Sequence, residues 1–165
     1  MQPASWLSHP ASANQPSPEQ LQALLTRAQA LQRGALQHQQ PLLGKRLGLM
    51  CSIPDSQEAQ SFHRAAQELG AHVALIPASL DQGGTARQQA GIGRLLGRLY
   101  DAVECQGTSP DTVCQLAATA NIPMYAGLAC SEHPIVGLAA KLDAPASLAD
   151  RQRWLIQAAL LVSLV

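Results

Sequence analysis

Arg46-Leu47-Gly48-Leu49-Met50-Cys51 is followed by Asp55-Ser56-Gln57-Glu58, a helical pattern that closes at Gly70, and a second apolar run, His72-Val73-Ala74-Leu75-Ile76-Pro77. A short apolar run, a turn, a helix and another apolar run is the sequence form of a βαβ unit, in which the crossover helix makes the two strands parallel. The same order recurs downstream, and it predicts strands near 46–51, 72–77, 101–106 and 122–126 with helices near 56–69, 87–99 and 110–120. Asp55 and Glu58 have the spacing of a helix N-cap and its capping-box partner, and Gly70 suits the C′ position, where a positive φ is needed. The predicted fold is α/β, a three-layer sandwich with a central, mostly parallel four-stranded sheet flanked by helices. Ligands of such sheets bind outside the carboxyl ends of the strands, so a site is expected at 51–58, 78–86, 106–109 and 127–136.

Upstream of this unit, residues 1–16 carry Pro, Ser, Ala and Asn without periodicity and read as an arm, pinned by Trp6 and Leu7. Ser17-Pro18-Glu19-Gln20 is a helix start, with a Ser N-cap, Pro at the first helical position and Gln placed to close a capping box. The helix continues on Leu21, Leu24, Leu25, Ala28 and Leu31 and ends at Gly34 or Pro41. A chain of 165 residues is the size of one domain, here residues 17–165. Eleven basic residues balance eleven acidic ones without a basic stripe, which argues against nucleic acid and anionic membrane as partners. The most apolar stretch, Trp154 to Val165, is too short to span a bilayer and reads as a buried helix. Cys51, Cys105, Cys114 and Cys130 show no C-x-x-C spacing, so the default compartment is a reducing cytoplasm, with no metal and no cofactor implied.

Five segments, in order, are Pro41-Leu42-Leu43-Gly44-Lys45; Ser61-Phe62 with Glu68-Leu69-Gly70-Ala71-His72; Arg94-Leu95-Leu96-Gly97-Arg98-Leu99-Tyr100-Asp101-Ala102; Ile122-Pro123 with Gly127-Leu128; and His133-Pro134. Their order and spacing resemble the carbamoyl-phosphate-binding, amino-terminal domain of the ornithine and aspartate carbamoyltransferases. After the connector Asp143-Ala144-Pro145-Ala146-Ser147, the segment from Ala149 to Leu164 is similar to that family's final helix. The resemblance therefore implies a deleted second domain and a returning helix at about 148–165, packed on the first domain through Trp154, Leu155, Ala158, Leu161 and Val162. It also implies a trimer, either of this chain alone or mixed with a complete carbamoyltransferase, joined between the 51–58 helix start and the 79–86 loop.

Several positions depart from the family pattern. A Ser-Thr-Arg-Thr-Arg run grips phosphate in the family, and here the matching residues are Asp55, Ser56, Gln57, Glu58 and Ala59. Two carboxylates thus stand where an anion would dock, and a like charge about 4 Å away costs about 4 kcal/mol at an effective dielectric of about 20. The Arg-Thr that follows the third strand is Gln106-Gly107, and the His-Pro-Cys-Gln motif persists only as His133-Pro134-Ile135-Val136. The elements that hold the amino-acid substrate belong to the second domain. The degenerate cleft is therefore expected to comprise Asp55, Ser56, Gln57, Glu58, Gln106 and His133, with His133 the one catalytic candidate.

Three functions are open at this level. One is a non-catalytic carbamoyltransferase-like domain with an assembly or regulatory role. Another is an enzyme of altered chemistry, with His133 as acid or base and a cysteine or carboxylate as its partner. The third is a binding module for a neutral or cationic small molecule. Glu104 stands out because an unpaired carboxylate in an apolar strand is costly to bury, and it is expected at an edge or paired with Arg94 or Arg98.

Overall fold

The computed structural model describes residues 16–36, 38–81, 84–143 and 145–165. The arm expected over residues 1–16, with Trp6 and Leu7, lies outside the described residues except for Pro16, as do Gln82 and Gly83 of the 79–86 loop.

Helix α1 (Pro18–Gln32) opens on the full capping box: the Ser17 side chain accepts from the Gln20 N–H, and the Gln20 side chain accepts from the Ser17 N–H. It stops at Arg33, with Gly34 next at a φ of 81°. The first βαβ unit consists of β1 (Arg46–Cys51), α2 (Gln57–Glu68) and β2 (His72–Pro77). At the end of α2, Gly70 adopts a φ of 90°, the Gly70 N–H reaches the Gln67 carbonyl, and the Ala71 N–H reaches that of Ala66. This Schellman closure turns the chain directly into β2. A short 3-10 turn (Ala78–Asp81) precedes α3 (Ala86–Leu99), β3 (Ala102–Cys105), α4 (Pro110–Ala120) and β4 (Met124–Ala126). A 3-10 segment (Val136–Lys141) then leads to α5 (Leu148–Leu164).

The sheet order is β2-β1-β3-β4, and every pairing is parallel. From β1 the chain moves one way to β2, then back past β1 to β3 and on to β4. Right-handed crossovers in opposite directions place their helices on opposite faces. Accordingly α2, joined by α1 and α5, covers one face over Leu47 and Leu49, whereas α3 and α4 cover the other over Met50, Val103 and Met124. Helices α3 and α4 approach closely because Gly93 and Gly97 lack side chains; a Cβ on Gly97 would run into the Ala120 carbonyl. The reversal of direction leaves a crevice between the carboxyl ends of β1 and β3.

Helix α5 lies against α1 and α2. Leu155, Ile156, Ala158, Ala159, Leu160 and Leu161 are all buried, and each large side chain so removed from water contributes about 1.5–3 kcal/mol. Trp154 is only partly buried, and Val162 is exposed rather than packed as expected, because it lies in the last turn of α5, where the helix runs out to its exposed carboxyl end. Glu68 clamps α5 to α2: it accepts from Gln157 Nε2 at 2.9 Å and pairs with Arg153 at 3.0 Å. Among the described residues no helix is long and apolar enough to cross a membrane.

Candidate functional site

The crevice between β1 and β3 holds a cleft of about 220 Å³, lined by Cys51, Ser52, Ile53, Ser56, Glu58, Gln106, Gly107 and Cys130. Each wall follows from the chain path. Cys51 closes β1, Ser56 caps α2, and Glu58 lies in the first turn of that helix. Gln106 continues beyond β3, tied by its N–H to the Met50 carbonyl at 2.8 Å, and Gly107 turns the chain away at a φ of 77°. Among the described residues no Lys or Arg lines the cleft.

The helix start differs from the sequence expectation by one residue. Ser56, not Asp55, is the N-cap, accepting from the Ala59 N–H at 3.1 Å. The third helical position is therefore Ala59, which has no side chain able to close a capping box, and Glu58 is freed to face the cleft. Asp55 and Gln57 are exposed and do not line it. The acidic character of the cleft thus comes from Glu58 alone among the expected pair. Ser56 and Gln106 both line it.

His133 is not a cleft residue either. It is 4% exposed, and its Nδ1 accepts from the Ile135 N–H at 3.3 Å, an arrangement that places the proton of the neutral ring on Nε2. The imidazole is thus buried within the His-Pro turn, where it ties down the chain that leads to the 3-10 segment.

Behind the cleft lies Glu104, which is neither at an edge nor paired with Arg94 or Arg98. It sits on β3 between Leu49 of β1 and Tyr125 of β4, with no exposed surface. Its oxygens accept from the Leu128 N–H at 3.0 Å, the Ala129 N–H at 3.3 Å and Gln106 Nε2 at 3.3 Å. Burial pushes its carboxyl up to about 8, and the three hydrogen bonds only partly oppose that rise. What sequence reasoning missed is this solution, in which the loop after β4 supplies backbone donors. The signal for it was Gly127, whose φ of 74° folds that loop back over β3.

The thiols are similarly restrained. Burial raises Cys51, with a further rise from Glu104, and Cys130 is pushed up to about 11 by burial and then by Glu104, Glu58 and Glu132. Both remain protonated near neutrality and are poor nucleophiles. Among the described residues no group of three His, Cys, Asp or Glu side chains could hold a metal ion.

Residues 8–142 match the family profile described as the aspartate/ornithine carbamoyltransferase, carbamoyl-P binding domain. The chain belongs to this family. A catabolic ornithine carbamoyltransferase of Chromobacterium violaceum is 35% identical over 126 residues, which is 74% of this chain and 38% of that protein. The structure of ornithine carbamoyltransferase from Gloeobacter violaceus matches with a TM-score of 0.57 at 28% identity, over 74% of this chain and 39% of the other. A mitochondrial ornithine carbamoyltransferase from Coccidioides immitis shares the fold at a TM-score of 0.65 and 16% identity, over 86% of this chain and 47% of the other. The chain spans about a third of the length of the curated relatives it matches.

Proposed function

We propose that this chain is a degenerate carbamoyltransferase-type domain, without carbamoyltransferase activity, that serves assembly or regulation. The observation that carries this reading is the lining of the β1/β3 cleft: among the described residues it has no basic side chain, and it has Glu58. A phosphate in such a cleft meets a like charge at close range, worth about 4 kcal/mol at about 4 Å, with no guanidinium fork to offset it. Catalysis on the same cleft is disfavoured by its own groups, since both thiols are held protonated and His133 is turned into the protein.

The scaffold supports an assembly role. Ile53, Leu75 and Leu80 are exposed around the carboxyl ends of β1 and β2, near the segments through which the resemblance implies a trimer. Association of this chain with itself, or with a complete carbamoyltransferase, would cover them. A three-fold ring of such contacts closes on itself and limits the assembly.

The test is direct. Ornithine and carbamoyl phosphate, incubated with the purified chain, are expected to give citrulline at the uncatalysed rate only; turnover above that rate, lost in His133→Ala, would refute the proposal. Light scattering of the chain, alone and mixed with a complete ornithine carbamoyltransferase, is expected to show a trimer in at least one condition. A monomer in both removes the assembly role.

A further inference from the structure

We infer that the β1/β3 cleft binds a small organic cation, a guanidinium or a primary ammonium, held through its N–H groups by Gln106 Oε1 and the Glu58 carboxylate. This rests on the reading above that no phosphate docks in the cleft.

The first support is an acceptor that the fold leaves unused. Gln106 lines the cleft yet is only 7% exposed, and among the described residues no donor reaches its Oε1. A buried acceptor of this kind is uncommon, and it marks a place where a donor completes the structure. The amide Nε2 donates to Glu104 Oε1 at 3.3 Å, and the Gln106 N–H is tied to Met50, so the carbonyl end is the one left over. Glu104 itself accepts from the Leu128 and Ala129 N–H groups, and the Gln106 amide is its side-chain partner.

The second support is charge. Among the described residues Glu58 is the only charged side chain in the lining, because burial keeps the Cys51 and Cys130 thiols neutral. The positive end of the α2 dipole opposes a cation, but Glu58 lies in the first turn of that helix and offsets it. A neutral amide would satisfy Gln106 and leave Glu58 unanswered, whereas a guanidinium or ammonium answers both. The size agrees: about 220 Å³ is about seven times the roughly 30 Å³ that a water molecule occupies in the liquid, room for a head group and a short stem against Ile53.

Titration calorimetry on the full chain with methylguanidinium, methylammonium, methylurea and inorganic phosphate tests this. At least one cation is expected to bind saturably and at least tenfold more tightly than methylurea, with no binding of phosphate. Gln106→Leu and Glu58→Gln are each expected to weaken the cation tenfold or more. Glu58→Gln alters a half-buried side chain in a first helical turn and keeps the fold, so it decides the matter if Gln106→Leu is unstable. Absence of saturable binding by both cations, or equal affinity in Glu58→Gln and the parent chain, overturns this inference and leaves the proposed function standing. Saturable binding of phosphate overturns both.

Discussion

Replacing Glu104 by Gln should make the protein less sensitive to pH and, in mild alkali, more stable. The carboxyl is wholly buried, and its pKa is raised from 4.5 to about 8, first by burial, with the Leu128, Ala129 and Gln106 hydrogen bonds pulling the other way. Between those two values the unfolded chain has released the proton while the folded protein still holds it. The folded state therefore binds more protons, and stability must fall as pH rises through this window. At about 1.4 kcal/mol per pH unit, the gap from 4.5 to about 8 corresponds to about 5 kcal/mol in full, of which about 2 kcal/mol should be lost between pH 5.5 and 7.5. Glutamine keeps one oxygen, which takes the place of Glu104 Oε2 in accepting from the Leu128 N–H, and its amide N–H is met by the Gln106 side chain once that amide turns over. It has no proton to lose. Urea denaturation followed by far-ultraviolet circular dichroism at half-unit steps from pH 5.5 to 8.5 gives the difference between parent and Glu104→Gln, in which the histidines and other carboxyls cancel. The difference should move in favour of the variant by about 2 kcal/mol between pH 5.5 and 7.5, and further above it. Parallel curves would refute the reasoning, since they would mean that Glu104 has the same proton affinity folded and unfolded.

Two further substitutions probe the packing. Leu155→Ala, at a fully buried position of α5 against α1 and α2, should cost about 2–5 kcal/mol in urea denaturation, and a loss under about 1 kcal/mol would show that α5 is not part of the core. Gly97→Ala should lower the thermal midpoint despite the better helix propensity of alanine, because the new methyl meets the Ala120 carbonyl; about 1–3 kcal/mol is expected, and a gain in stability would contradict the close α3/α4 approach.

The fold was legible in the sequence because each element carries a local punctuation mark that the structure uses as written. Ser17, Pro18 and Gln20 open α1, Gly70 closes α2, and the alternation of apolar runs with helical periods yields the strands within a residue or two. The parallel, three-layer arrangement follows from those elements and the handedness of the crossovers. The site was less legible, because its geometry depends on single-residue phase. Asp55 and Ser56 are both good caps, and the choice of Ser56 turned Glu58 inward and Asp55 outward. The role of Glu104 required knowing that the loop after β4 returns over β3, a long-range contact of which Gly127 marks the turn but not the target. The His-Pro motif points His133 to the cleft, yet the side chain is buried and accepts from the Ile135 N–H within its own turn.

The central claim is that the cleft between β1 and β3 no longer accepts the anion for which its family is described. Titration calorimetry of the chain with carbamoyl phosphate at neutral pH measures this most directly. No saturable heat is expected up to millimolar ligand, with the thermal midpoint unchanged in its presence. A dissociation constant in the micromolar range, weakened further in a Ser56→Ala variant that removes the hydroxyl from the α2 cap, would contradict the account.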